Sequence, residues 1–171
     1  MKTVELRRHT DNDGDQLSAE GVAQAREIGA RLSPPYDAYI STGARRATQT
    51  LEIWRDAAGG DAPIAEEPGL RSAHEDRWKE AYEKADSSEL ARMREAEPDF
   101  VRDDSQTLGA ALGHVFDRLP EGGAALVCGH SPTNEGAVLG LTGETIDPMG
   151  KGAGVRVIRT DDGHYRIEPV E

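Results

Sequence analysis

Apolar positions along the chain switch repeatedly between a period of two and a period near 3.6, which predicts strands alternating with helices. Val4 and Leu6 alternate with polar residues in a first strand that carries Arg8 and His9 to its C-terminal end. A polar loop over 10–17 follows. Ser18 is placed to cap a helix whose Val22, Ala25, Ile28 and Leu32 share one face until Ser33-Pro34-Pro35 stops it. Tyr39 and Ile40 mark a second strand over 37–41, and Ser41-Thr42-Gly43 opens a second helix with Ala47, Leu51 and Trp54, ending near Gly59-Gly60. Residues 64–68 read as a weak strand. From 74 to 97 the chain is strongly charged, with Trp78, Ala81, Tyr82 and Ala85 at helical spacing, as expected of an insertion over the core. Pro98 breaks this stretch, and Ser105 or Thr107 is the expected cap of a helix with Leu108, Ala111, Leu112, Val115 and Leu119 on its apolar face. The unbroken apolar run 124–128 has the pattern of a strand buried on both faces of a parallel sheet, and it leads directly into Gly129-His130-Ser131-Pro132. Residues 155–159 and 164–168, joined through Asp161-Asp162-Gly163, form a closing hairpin, because Asp-Gly suits the positive φ angles of tight turns.

This order predicts an α/β fold, a three-layer sandwich with a mostly parallel central sheet flanked by helices. At 171 residues the chain is expected to form a single domain over 1–171, with the small helical insertion at about 74–104. Net charge is -12 and the isoelectric point lies near 4.8, so nucleic acid and anionic membranes are not expected partners. One cysteine, Cys128, rules out an internal disulfide and fits a small core residue better than a reactive thiol. The N-terminus has no apolar stretch of signal-peptide length, and no run approaches the roughly 18–20 apolar residues of a membrane span. A cytoplasmic protein is the expectation; the oligomeric state is not legible.

In open parallel sheets ligands gather outside the C-terminal ends of the strands, where this order brings Arg8, His9, Arg46 and His130 together. Two helix starts, one near Arg46 and one after Ser131-Pro132, would aim unpaired N–H groups at the same place, which favours an anion. Two imidazoles and two guanidiniums suit phosphoryl transfer: a neutral imidazole attacks phosphorus while forked arginine donors neutralise the phosphoryl oxygens. Taken singly, each residue has a plainer reading, with the histidines as capping groups and Arg46 in a surface pair with Glu52 or Asp37. Their convergence is what points to chemistry.

Four segments in order carry a family resemblance: Leu6-Arg7-Arg8-His9; Leu17-Ser18-Ala19-Glu20-Gly21 with Gln24-Ala25; Ser41 to Thr50, containing Arg45-Arg46-Ala47-Thr48-Gln49-Thr50; and Val127-Cys128-Gly129-His130-Ser131. Together they resemble the histidine phosphatase, or phosphoglycerate-mutase-like, superfamily over about three quarters of the chain. The resemblance implies that His9 is phosphorylated, that Arg8, Arg46 and His130 bind the phosphoryl group and stabilise its transition state, that Ser131 adds a contact, and that no metal or organic cofactor takes part. Arg46, standing immediately before Ala47, matches the family arginine in preference to Arg45. Thr10 stands where the family usually has Gly, and Asp11 and Asn12 depart from its usual continuation. Asn12 remains a candidate substrate contact. The family's general acid follows a Leu equivalent to Leu70, but Ser72 occupies that place. Glu75, or Asp76 beside it, is the replacement candidate, given an apolar wall such as Trp78 to raise its pKa.

Other classes fit less well. Asp11, Asp13 and Asp15 suggest a calcium loop, but Gly14 is misplaced and Val22 stands where the closing Glu belongs. Gly129-His130-Ser131-Pro132-Thr133 lacks the second glycine of a hydrolase elbow, and Gly150-Lys151-Gly152 lacks the hydroxyl residue of a nucleotide-binding loop. The acidic loop 11–15 is expected near the pocket rim, where it would repel highly charged anions. The expected activity is that of a metal-independent phosphohydrolase acting on phosphomonoesters or protein phosphohistidine, with a phosphorylated small molecule or phosphoprotein as partner. A phosphomutase would need a more elaborate lid than 74–104 provides. A weakened phospho-ligand binding protein is the reading from another class; it would need no carboxylate in the pocket.

Overall fold

The computed structural model describes residues 1–170. The chain forms β1 (Lys2–Arg8), β2 (Asn12–Asp13), β3 (Gln16–Leu17), α1 (Ala19–Gly29), β4 (Ala38–Ser41), α2 (Arg45–Ala57), β5 (Ile64–Glu66), α3 (Glu75–Ala85), α4 (Leu90–Ala96), α5 (Pro98–Arg118), β6 (Ala124–Gly129), α6 (Thr133–Thr142), β7 (Gly154–Arg159) and β8 (Tyr165–Pro169). Six strands make one sheet in the order β5-β4-β6-β1-β7-β8, parallel from β5 through β1 and antiparallel from β1 to β8. It is the mostly parallel, helix-flanked sheet expected. Strands β2 and β3 form a separate small hairpin within the predicted loop.

Alternation within each strand divides the core in two. Val4, Leu6, Ile40, Ala125 and Val127 face a cluster built with Leu108, Leu112, Val115 and Phe116 of α5, while Tyr39, Leu126 and Cys128 face Ala25 of α1 and Leu51 and Trp54 of α2. Because β1 lies between β6 and β7, its polar alternates Glu5 and Arg7 are buried instead of facing water. They pair at 2.6 Å, Arg7 donates to the Gly152 carbonyl at 2.9 Å, and Glu5 accepts from the Tyr36 hydroxyl at 3.0 Å. A buried charge is tolerated when each of its polar atoms is matched in this way.

Ser18 caps α1 as expected, accepting from the Gly21 amide at 3.0 Å. The capping role expected of Ser105 or Thr107 is not fulfilled. α5 begins from Glu97, well before either residue, with Pro98 in its first turn, where a missing N–H costs nothing. Ser105 is instead a small buried residue where α5 meets α6. The contact is made by glycines: a Cβ on Gly140 would lie 1.7 Å from the Ser105 carbonyl oxygen, and one on Gly109 would lie 2.5 Å from the Gly140 carbonyl carbon. The segment expected as an insertion forms α3, α4 and the start of α5, with Trp78, Ala81, Leu90 and Met93 buried against the α5 side of the core. Gly140→Ala should therefore destabilise by about 1–3 kcal/mol through overpacking, seen as a lower urea midpoint at unchanged m-value. An unshifted midpoint would show that the two helices can separate freely.

Candidate active site

β1 and β6 end side by side with Arg8 opposite Gly129, and the His9 amide continues the ladder by donating to the Gly129 carbonyl at 3.0 Å. His9 and His130 are thereby brought together, ring centroids 5.4 Å apart and nearly edge-on. Both are buried. His9 Nδ1 lies 2.7 Å from the Thr10 carbonyl oxygen, which can only accept, so this nitrogen holds the proton and Nε2 keeps its lone pair. Burial, followed by the charges of Arg46, Arg8 and Lys151, pushes His9 down to about 4 against the opposing bond to Thr10, so the imidazole is neutral at neutral pH.

His130 is fixed on both sides. Arg46 donates to its Nδ1 at 3.3 Å, which leaves the proton on Nε2 to donate to Thr42 Oγ1 at 2.8 Å. Burial first, then the Arg46 charge, pushes His130 down to about 3. Thr42, which directly follows β4, lies within the resembling segment 41–50 but was not among the expected site residues.

Arg8 is half-buried and donates to the Met149 carbonyl at 3.0 Å. Arg46 reaches in from the first turn of α2, whereas Arg45 is exposed and does not line the cleft, so the choice between them falls to Arg46. The expected surface partners of Arg46, Glu52 and Asp37, are replaced by Asp15. That carboxylate, at the tip of the β2–β3 hairpin, accepts from the Arg46 guanidinium at 2.8 Å and from the Arg45 and Arg46 amides at 3.4 Å. An acidic side chain thus stands on the helix start and the guanidinium expected to receive an anion.

The cleft beside these groups holds about 560 Å³ and is lined by Arg8, Arg46, His130 and Ser131 together with Glu75, Trp78, Lys79, Tyr82 and Met93, whereas buried His9 does not line it. Glu75 stands at its mouth with 54% of its side chain in solvent and its carboxylate on Arg71 at 2.7 Å. The apolar enclosure expected around Glu75 is not built, because the Trp78 indole turns inward to donate to Asp104 at 2.6 Å. Asp76 is exposed and lines a separate surface groove. Ser72, at the family's acid position, is buried and donates to the same Asp104 at 2.8 Å. Asn12 is held on the hairpin, donating to the Gly14 carbonyl at 2.7 Å and accepting from Lys151 at 3.0 Å, and does not line the cleft.

Behind Ser131 lies a residue the sequence reading missed. Glu135, in the first turn of α6, is 1% exposed and shares a short hydrogen bond with the Ser131 hydroxyl. Burial pushes it up to about 7, against the Ser131 hydroxyl, the amides of Glu135 and Met149, and the Arg8 charge. Its signal was a lone carboxylate in the otherwise uncharged run Thr133 to Thr142. Among the described residues no cluster of His, Cys, Asp and Glu is arranged to hold a metal ion, and no helix is long and apolar enough to cross a membrane.

Comparison with known proteins agrees with this geometry. The family model of the histidine phosphatase superfamily (branch 1) matches residues 2–169. No curated protein matches the sequence. Among solved structures, YhfR of Bacillus stearothermophilus superposes with a TM-score of 0.73 at 20% identity, covering 99% of this chain and 96% of that one. The protein histidine phosphatase SixA complexed with tungstate gives 0.62 at 20% identity, covering 97% and 94%. The phosphoglycerate mutase of Bacillus anthracis gives 0.72 at 16% identity, covering 98% and 92%. Paired histidines at the ends of adjacent parallel strands, in the fold these proteins share and with the family model matched over nearly its whole length, make this chain a member of the histidine phosphatase superfamily, branch 1.

Proposed function

We propose that the chain is a metal-independent phosphatase that passes a phosphoryl group through His9 to water. The observation that carries this reading is the neutral His9 ring, with Nδ1 tied to the Thr10 carbonyl and Nε2 free beside His130 and two arginines. Attack by Nε2 on phosphorus forms the N–P bond as the leaving group departs, and Arg8 and Arg46 compensate charge on the phosphoryl oxygens, while neutral His130, held between Thr42 and Arg46, keeps the Arg46 guanidinium in place. Water then cleaves the N–P bond and returns His9. Hydrolysis is favoured over mutase chemistry by the walls of the cleft: Glu75, Lys79, Tyr82 and Ser88 are all exposed, so water reaches the site.

The Trp78, Tyr82 and Met93 lining, with Lys79 beside it, suits a leaving group that is partly apolar and carries an anion. SixA, a protein histidine phosphatase, and the mycobacterial glucosyl-3-phosphoglycerate phosphatase bracket the range from phosphoprotein to small phosphoester. The size of the cleft favours the small phosphoester.

Asp15 must leave Arg46 for the phosphoryl group to enter. Its side chain is 56% exposed, and exposed pairs are worth only about 0.2–1 kcal/mol, whereas each charge-assisted bond to a phosphate contributes about 1.5–3 kcal/mol. The phosphoryl group wins. Asp15→Asn should accordingly lower the inhibition constant of inorganic phosphate about two- to fivefold; an unchanged constant would remove Asp15 from the competition.

His9→Ala should abolish phosphoryl labelling of the protein and lower turnover on the order of 10⁴-fold or more, tested with a panel of phosphoesters and a phosphohistidine protein in chelator-treated buffer. Labelling that survives in the variant would place the nucleophile elsewhere. The low His9 value has a sign that can be checked. Only the neutral ring attacks, so the nucleophile is lost as pH falls through about 4, not through the ordinary histidine range. Imidazole ¹⁵N shifts should therefore keep His9 neutral down to about pH 4. Because the unfolded ring takes its proton near 6.5, stability should decline as pH drops from there toward the folded value.

A further inference from the structure

The phosphoryl-transfer reading leaves one step unassigned: the leaving oxygen must gain a proton, and the family's position for the donor is taken by Ser72, committed to Asp104. Glu135 is the buried acid that the mechanism so far does not use. Its Oε2 hydrogen-bonds the Ser131 hydroxyl, its Oε1 has no partner, and the charged group facing it is Arg8, whose own Nε is likewise unpartnered. Enclosure outweighs the help that the carboxylate receives from the Ser131 hydroxyl, the Glu135 and Met149 amides and the Arg8 charge, and so favours the protonated form. When Glu135 holds the proton, Oε2–H donates to Ser131 Oγ and the serine hydroxyl hydrogen is free to point outward. Ser131 lines the same cleft as His130, Trp78 and Lys79.

Resting on the phosphatase reading, we propose that Ser131 is the proton donor to the leaving group and that Glu135 is the positioning residue that supplies and recovers its proton. As the N–P bond from His9 Nε2 forms and the bond from phosphorus to the leaving oxygen breaks, Ser131 Oγ gives its proton to that oxygen and takes the one on Glu135, leaving a carboxylate. When water attacks the phosphohistidine, a proton from the water passes through Ser131 back to Glu135, and phosphate departs. Atoms and charge balance over the cycle without a co-reactant. The buried relay explains how the chain can dispense with a carboxylate at Ser72, and why a charged residue is embedded in the otherwise uncharged helix α6.

The test is leaving-group dependence of kcat/KM, which reports the steps up to phosphorylation of His9. 2,4-Dinitrophenyl phosphate releases a stable anion that needs no proton, whereas phenyl phosphate releases one that does. Glu135→Gln, which keeps size and burial, and Ser131→Ala, at a half-buried position, should each lower phenyl phosphate on the order of 10²-fold more than dinitrophenyl phosphate, the usual scale of general acid catalysis. An equal loss on both substrates would mean that the pair merely supports the fold of the site, and no loss on either would mean that it has no part in proton transfer; each result overturns the relay. Wild-type protein that forms phosphohistidine from dinitrophenyl phosphate keeps the phosphatase reading intact in both cases. Wild-type protein that labels His9 with neither substrate overturns that reading, and the relay falls with it.

Discussion

The register of β1 on β6 is the constraint on which the rest of this molecule depends. Thr3 through Arg8 pair one for one with Ala124 through Gly129, and the His9 amide adds the next bond of the ladder. A slip of one residue would turn every side chain of β1 to the opposite face, exchanging Val4 and Leu6 for Glu5 and Arg7 in the apolar cluster under α5. No such slip is compatible with that core. The side-chain alternation that secures the fold therefore also fixes the separation of the two imidazoles, and the geometry of the candidate site is inherited from packing.

Dryness then does the chemical tuning. In water an imidazole beside two guanidiniums would still spend part of its time protonated at neutral pH. Enclosed by the strand ends and helix starts, His9 and His130 lose the solvation that a charged ring needs, and the neighbouring arginines add repulsion to that loss. The net charge of -12 opposes this little, because exposed charges are screened beyond about 8 Å. One acidic group acts locally: Asp15 is carried onto Arg46 by its hairpin, so the acidic loop enters the site by direct contact and not by a diffuse field.

The parts legible in the sequence were those encoded within a few residues. Strands running into His9 and His130, the Ser18 cap, the Arg46-Ala47 choice and the Asp-Gly turn all lie in short segments whose periodicity or turn chemistry is local. α5 was misread because Arg102, Asp103, Gln106 and Thr107 are its exposed face, so its first turns resemble a polar loop, and because buried Ser105 looks like a cap until α6 is laid against it. The hairpin tip reaching Arg46 from 31 positions away and the bond between Thr42 and His130 across 88 positions had no local signature. Glu135 did leave one. Its meaning came only from burial, which three-dimensional packing decides.

Asp104 shows why the acid had to be sought away from its usual place. It collects the Ser72 hydroxyl and the Trp78 indole N–H in one buried cluster, tying the segment before α3, and α3 itself, to α5. A carboxylate at position 72 would set two acids against each other in an enclosed space, where like charges are expensive. The lid anchor and a catalytic acid at that position thus compete for one location. Glu75 escapes the conflict by moving into solvent, at the expense of a fixed orientation, since an exposed side chain on Arg71 samples many rotamers. Glu135 avoids it by lying on α6, where the helix holds it in one place and its hydroxyl neighbour Ser131 lines the cleft. A proton donor must already be in position when the bond breaks, so the fixed group has the advantage that the mobile one gave up.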